Sequence, residues 1–281
     1  MGHFFKKADW LGLGKRPSKA SLIFLGLAPF ILLVAIYVIG SDMRLSENPA
    51  DKLMPSLSKM GDTFTRYAFE EDKRTGEYLL LNDWRASMQR LAIGMAAASF
   101  VGLVLGISMG LFPYIRQALL PFVTFWSIVP PLAILPILFI LFGVGESGKI
   151  MLIFLGAVWF ISRDLYEQVS NVPKEQIVKT LTFNASIFSI IWRVILPQIL
   201  PRLIDAVRLT LGAAWLFLIA SEAIAATEGL GYRIFLVRRY LAMDVIIPYV
   251  AVITFTGFIL DIILRKTNAV FYPWYVAQKR T

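Results

Sequence analysis

The residues able to do chemistry are few, and their spacing argues for pairing, not for covalent catalysis. Asp205 and Arg208 are three apart, and Asp261 and Arg265 four apart. At those separations opposite charges meet on one helix face. Glu222 stands in Ala220-Ser221-Glu222-Ala223, near the end of an otherwise apolar stretch. His3 is the one histidine and there is no cysteine, which excludes zinc clusters, thiolate chemistry and most acid–base schemes. Gly143-Val144-Gly145-Glu146-Ser147-Gly148-Lys149 has the Gly-x4-Gly-Lys spacing of a phosphate-binding loop. Ile150 stands where Ser or Thr would hold magnesium, and no strand leads into it, so it reads as a turn between two apolar segments. No nucleophile elbow, dinucleotide loop or paired carboxylates are present.

The elements that must carry these residues follow from composition. The chain has 281 residues, 57% hydrophobic and 17% charged, with a mean hydropathy of +0.67. A soluble domain carries about 45–50% apolar and about 25% charged residues, so a soluble enzyme and a disordered chain are both excluded. An all-α membrane protein is expected. Six segments approach the ~20 apolar residues a span requires: 22–40, 88–112, 118–142, 150–161 extended toward Tyr166, 203–226 and 245–264. Residues 1–21 form a cytoplasmic segment and 22–40 an uncleaved anchor, longer than a signal peptide's apolar region of about 7–15. Residues 41–85 form a periplasmic segment, 86–265 the core and 266–281 a cytoplasmic tail. Within 41–85, Leu57, Met60, Phe64, Tyr67 and Ala68 make an apolar stripe at helical spacing, an amphipathic helix on the membrane face.

Lys and Arg set the orientation. With both termini cytoplasmic, the inner side holds fifteen of them, from Lys6 to Arg280, and the outer side eleven. Seven of those eleven lie in 41–85, where nine acids outweigh them. The net charge of +9 is therefore a topology signal, and nucleic acid is not an expected partner. Gly94, Ala98, Gly102, Gly106 and Gly110 place a small residue at every fourth position of the second span, a ridge along which two helix backbones can approach. Pro121, Pro130, Pro131 and Pro136 interrupt the third. A helix so broken belongs in the protein interior or along a watery path. Trp126, Pro130, Trp159 and Glu222 are the candidates for that path. For Glu222, solvation at the helix end stands as an equal alternative.

The segment 162–201 is far longer than a helical hairpin needs. Val172-Pro173-Lys174-Glu175 opens a helix. Asn184, which tolerates a left-handed turn, joins it to a second. Phe183 and Phe188 are large apolar residues in a wet segment, which points to a partner's pocket. This stretch, with Arg193-Val194-Ile195-Leu196-Pro197, resembles the cytoplasmic loop of permease subunits of bacterial ATP-binding-cassette importers. Val178-Lys179-Thr180 and Asn184 stand where that pattern has Glu-Ala-Ala and Gly. Pro55-Ser56, Ala86-Ser87, Arg90, Val129-Pro130-Pro131, Leu135-Pro136, Phe142-Gly143, Glu222, Gly229-Leu230-Gly231-Tyr232 and Asp261 are similar to the nitrate, sulfonate, taurine and bicarbonate permeases.

The resemblance implies a type I importer-like fold with a cytoplasmic coupling helix and the function of a permease for a small polar solute, in the bacterial inner membrane. The implied partners are cytoplasmic ATP-binding subunits, a second permease copy, a periplasmic substrate-binding protein and membrane lipid. No cofactor is implied in this chain; ATP and Mg belong to the partner ATPase. Lys179, Thr180, Phe183, Asn184, Ala185 and Ser186 are the expected ATPase contact. The rival is a self-sufficient secondary transporter or channel, which would show inverted repeats or several buried charges.

Overall fold

The computed structural model describes residues 18–73 and 76–278, and the regular structure among them is helical. His3, most of the expected N-terminal segment 1–21 and the last three residues of the tail lie outside the described residues. The chain forms two compact units, one up to Asp62 and one from Thr63. In the first, α1 (Lys19–Glu47) starts where the Ser18 hydroxyl accepts the Ser21 N–H. It continues past the expected limit at Gly40 and ends at Asn48. The segment after it folds back: Tyr37 donates to the carbonyl of Pro55 at 2.8 Å, and Ser41 to that of Met54 at 2.9 Å. The apolar stripe from Leu57 to Ala68 lies on α2 (Leu57–Phe69), which crosses the boundary between the units.

The second unit is built on α3 (Leu79–Leu111) and α6 (Glu146–Ser170). Gly94, Gly102, Gly106 and Gly110 of α3 face Ile153, Ile161, Leu165 and Val169 of α6, one turn after another. A Cβ on Gly106 would stand 2.6 Å from that of Leu165. Lipid gives helices little apolar drive to associate, so they gain by bringing backbones and side chains into close contact. α9 (Leu196–Ala225) packs on α6, with the Phe217 ring lying over Gly156. Leu152, Ile153, Ile161, Leu165 and Leu218 are fully buried in this core. α10 (Leu230–Arg238) and α11 (Met243–Phe271) pack on α9, and α12 (Pro273–Gln278) closes the described chain.

The break expected in the third span is present. The third span is not one helix. α4 (Pro113–Ile128) and α5 (Leu135–Phe142) are joined through Val129, Pro130 and a 3-10 turn at Pro131–Ile134, and bend by 87°. Val129, like most residues before proline, is extended (ψ 122°) and cannot continue the helix. The six expected spans are not all confirmed. Among the described residues, four helices are long and apolar enough to cross a membrane, or five if the bent pair is one span. α6 has the length, but Lys149, Arg163 and Asp164 leave it no 18-residue stretch as free of charge as the others.

Replacing Gly106 by Val should cost about 1–3 kcal/mol of stability and lower the thermal midpoint in detergent. Gly61→Ala, where a Cβ meets nothing within 4 Å, should not lower it. An unchanged midpoint for Gly106→Val would show that α3 and α6 separate at little cost.

Candidate functional site

Three constellations stand out along the second unit. The first is the loop between α6 and α9. Pro173 caps α7 (Lys174–Thr182), which carries Lys179 and Thr180. The Thr180 hydroxyl turns back to the carbonyl of Gln176 at 2.6 Å. Asn184 adopts the left-handed conformation (φ 56°), and its N–H bonds to the Leu181 carbonyl. Ser186 then caps α8 (Ile187–Ile190) by accepting from Ser189. α8 is the second helix joined at Asn184, and it does not end within the loop. It passes through a π turn at Ile191–Ile195 into α9, so that Ile187–Ala225 is one helix of 39 residues.

Phe183 is 76% exposed and Phe188 71%. Trp192, which sequence reasoning missed, is also exposed, its ring stacked on Phe188 with centroids 6.0 Å apart. The signal was present, since residues four apart in a helix share a face. Ala185 packs inward against the core.

The second constellation joins α4 to α6. Trp126 and Trp159 lie face to face, 6.3 Å between centroids and 22° between planes, with Phe122 edge-on to both. Arg163, one turn beyond Trp159, donates to the Ser127 hydroxyl at 3.0 Å. Pro130 comes just after the end of α4. The structure thus brings Trp126 and Trp159 together beside the break at Pro130, and places Glu222 elsewhere.

Glu222 belongs to the third constellation, a polar junction at the opposite end of the bundle from the loop. Its carboxylate is fully buried. It accepts from Arg90 at 2.7 Å, from Ser87 at 2.8 and 3.0 Å, and from the Gly231 N–H at 2.8 Å. Arg90, 2% exposed, also donates to both oxygens of Glu146 and to the carbonyl of Glu228 at 2.9 Å. Asp83, one turn before Ser87 on α3, takes the Gly229 N–H, the Arg233 guanidinium and the Tyr249 hydroxyl. A buried carboxylate left unpaired would cost several kcal/mol; here every charge is met. The phosphate-loop decoy contributes Lys149, whose ammonium donates to Glu146 at 2.8 Å. Asp83, Ser87 and Arg90 were legible as one helix face but drew no functional reading.

The pairs expected from helical spacing also form. Arg208 binds Asp205 at 3.0 Å and Asp261 at 2.9 Å, and Arg265 binds Asp261. Among the described residues no cluster of three or more His, Asp or Glu could hold a metal ion.

An all-helical bundle with a broken helix and an exposed aromatic loop now meets its relatives. Residues 99–274 match the family described as the binding-protein-dependent transport system inner membrane component. The chain belongs to that family. It is a permease of an ATP-binding-cassette importer, an inner-membrane transport component.

Among the permease's relatives is the taurine transport system permease protein TauC of Escherichia coli (strain K12), 37% identical over 190 residues, 68% of this chain and 69% of that one. The nitrate import permease protein NrtB of Leptolyngbya laminosa is 32% identical over 149 residues, 53% of each. The fold is similar to a chain of the inward-facing MetNI methionine ABC transporter, with a TM-score of 0.55 and 19% identity, covering 65% of this chain and 93% of that one.

Glu146 sits at the exposed start of α6. The Arg90 guanidinium holds its carboxyl down at about 2, against the ordinary 4.5; burial opposes this and Lys149 assists. A depressed carboxyl stabilises above its unfolded pKa and loses that contribution as pH falls from about 4.5 toward 2. The permease should therefore lose thermal stability over that window, and Glu146→Gln should flatten the loss. Solvent at this half-exposed group keeps the effect modest. Parallel pH profiles of the two proteins would show that another group carries the acid limb.

Proposed function

We propose that this permease carries a small polar solute of the nitrate, sulfonate, taurine or bicarbonate kind inward, driven by ATP hydrolysis on a separate cytoplasmic subunit. The observation that carries the reading is the α7–α8 turn. It presents Phe183, Phe188 and Trp192 to solvent at the foot of a 39-residue helix. Aromatic side chains at a wet, protruding turn are suited to a partner's pocket, where they become the anchors of an interface. Lys179 and Thr180 flank that contact, and Asn184, Ala185 and Ser186 shape the turn. ATP and Mg²⁺ are bound by the partner ATPase, and the path is completed by a second copy of this chain. Both termini are cytoplasmic, which puts the Arg90 junction on the outer side, where a substrate-binding protein delivers the solute.

The path runs past Trp126, Pro130 and Trp159, where a broken helix meets a π-rich wall. Such a wall favours solutes with a polarisable or cationic part. The buried Glu222 serves to fasten the outer helix ends, so solute selection falls to the aromatic wall and to the binding protein.

Affinity purification in mild detergent tests this directly. The unmodified chain should bring down ATPase subunits in equal number to permease subunits. Phe183→Asp should weaken that association about tenfold or more, the loss of one hot-spot anchor, with the permease itself still folded. A chain that transports with no ATPase attached would establish the secondary-transporter reading instead.

A further inference from the structure

The exposed aromatics and the buried polar junction are the two ends of one helix. Ile187–Ala225 is helical over 39 residues, about 58 Å at 1.5 Å per residue. Phe188 and Trp192 lie in its first turns and Glu222 in its last. The core holds it along its length through Ile195, Ile199, Ala214 and Leu218.

The turn beyond this helix is unusual for a membrane surface. The chain runs through residues 226–229 into α10, and four successive backbone groups are bound to side chains of the bundle. The Glu228 carbonyl accepts from Arg90 at 2.9 Å, and the Gly229 N–H donates to Asp83 at 2.9 Å. The Leu230 N–H donates to Ser87 at 2.9 Å and the Gly231 N–H to Glu222 at 2.8 Å. Gly229 has φ 127°, and a Cβ there would lie 2.6 Å from the Glu222 carboxylate, so the turn closes onto the junction itself. A turn in contact with solvent can satisfy its backbone with water. This one is instead bound to charged and polar side chains that are themselves buried. Its outer side is open: Thr227 and Glu228 line a cavity of about 380 Å³ with Asn82, Tyr232 and Arg233. The turn therefore offers a partner its side chains while its backbone is held by α3 and α9.

The junction cannot simply yield under a push. Arg90 is clamped between Glu222 of α9 and Glu146 of α6. α3 and α6 are in close contact along the glycine ridge. The turn is bonded to Glu222 of α9, and that helix is continuous to the loop.

We infer that the Arg90 junction is the fastening through which contact of the substrate-binding protein at residues 226–229 reaches the ATPase-docking loop, with Asp83, Ser87 and Arg90 as positioning residues. The inference rests on the importer reading proposed for this chain. It requires the stimulation of ATP hydrolysis by the binding protein, and not hydrolysis itself, to depend on the junction.

The test uses the complete transporter in proteoliposomes, with ATP hydrolysis measured without and with saturating solute-loaded binding protein. Ser87→Ala removes one donor to Glu222 and the acceptor for Leu230. Arg90→Lys keeps the charge but cannot span Glu146, Glu222 and the Glu228 carbonyl together. Both should retain ATPase subunits and unstimulated hydrolysis, while stimulation falls about fivefold or more, the usual size of coupling between sites. Wild-type stimulation in Ser87→Ala overturns the inference. So does a parallel fall of stimulated and unstimulated rates, which marks a merely structural role. If Arg90→Lys fails to assemble, Ser87→Ala decides alone. An unmodified chain without associated ATPase overturns the importer reading, and this inference with it, before any variant is compared.

Discussion

A guanidinium and a carboxylate withdrawn from water must find each other, and most of one end of this permease is arranged around that requirement. Arg90 and Glu222 are 2% and 0% exposed and 2.7 Å apart. Desolvating both ions costs several kcal/mol each, and only close pairing with full hydrogen bonding offsets it. Ser87, the Gly231 N–H, Glu146 and the Glu228 carbonyl complete the pair's bonding. The consequence is geometrical. Glu222 must lie where α9 ends beside α3, Gly229 must leave room for its carboxylate, and α10 must begin with its first N–H groups turned inward.

The close approach of α3 to α6 makes this possible. Arg90 reaches Glu146 because Gly94 allows the Ile153 side chain to lie directly against the α3 backbone. Larger residues along that ridge would separate the helices and leave Arg90 of α3, nearly buried, short of Glu146 on α6. Dispersion along the ridge and electrostatics at its end are therefore cooperative. At the other end, Arg208 ties Asp205 to Asp261 and so α9 to α11, while the loop beyond exposes its aromatic rings.

Much of this was legible in the order of residues alone. Apolar runs identify a membrane protein because lipid leaves no alternative to helices with satisfied backbones. The pairs Asp205–Arg208 and Asp261–Arg265 follow from helical spacing, the glycine ridge from its four-residue period, and the exposed Phe183 and Phe188 from apolar residues in a charged loop. Asn184 announced the left-handed turn, and the prolines after Ile128 announced a break. All of these are local: neighbours within one or two turns decide them.

Tertiary structure decided what depends on residues far apart in the chain. Periodicity could not say that the break at Pro130 bends the chain by 87°, because a bend angle is set by what the two halves pack against. Nor could it say that Glu222 is enclosed by Arg90, 132 positions away in sequence; as an isolated acid near a helix end, it fitted a path or simple solvation equally well. Trp126 and Trp159 meet only because α4 returns alongside α6. The helix from Ile187 to Ala225 reads as interrupted at Pro197 and Pro201, yet it continues, since a π turn and contacts with its neighbours offset the missing N–H groups. Charge and spacing determine which groups need partners, and only the packed chain determines which partners they find.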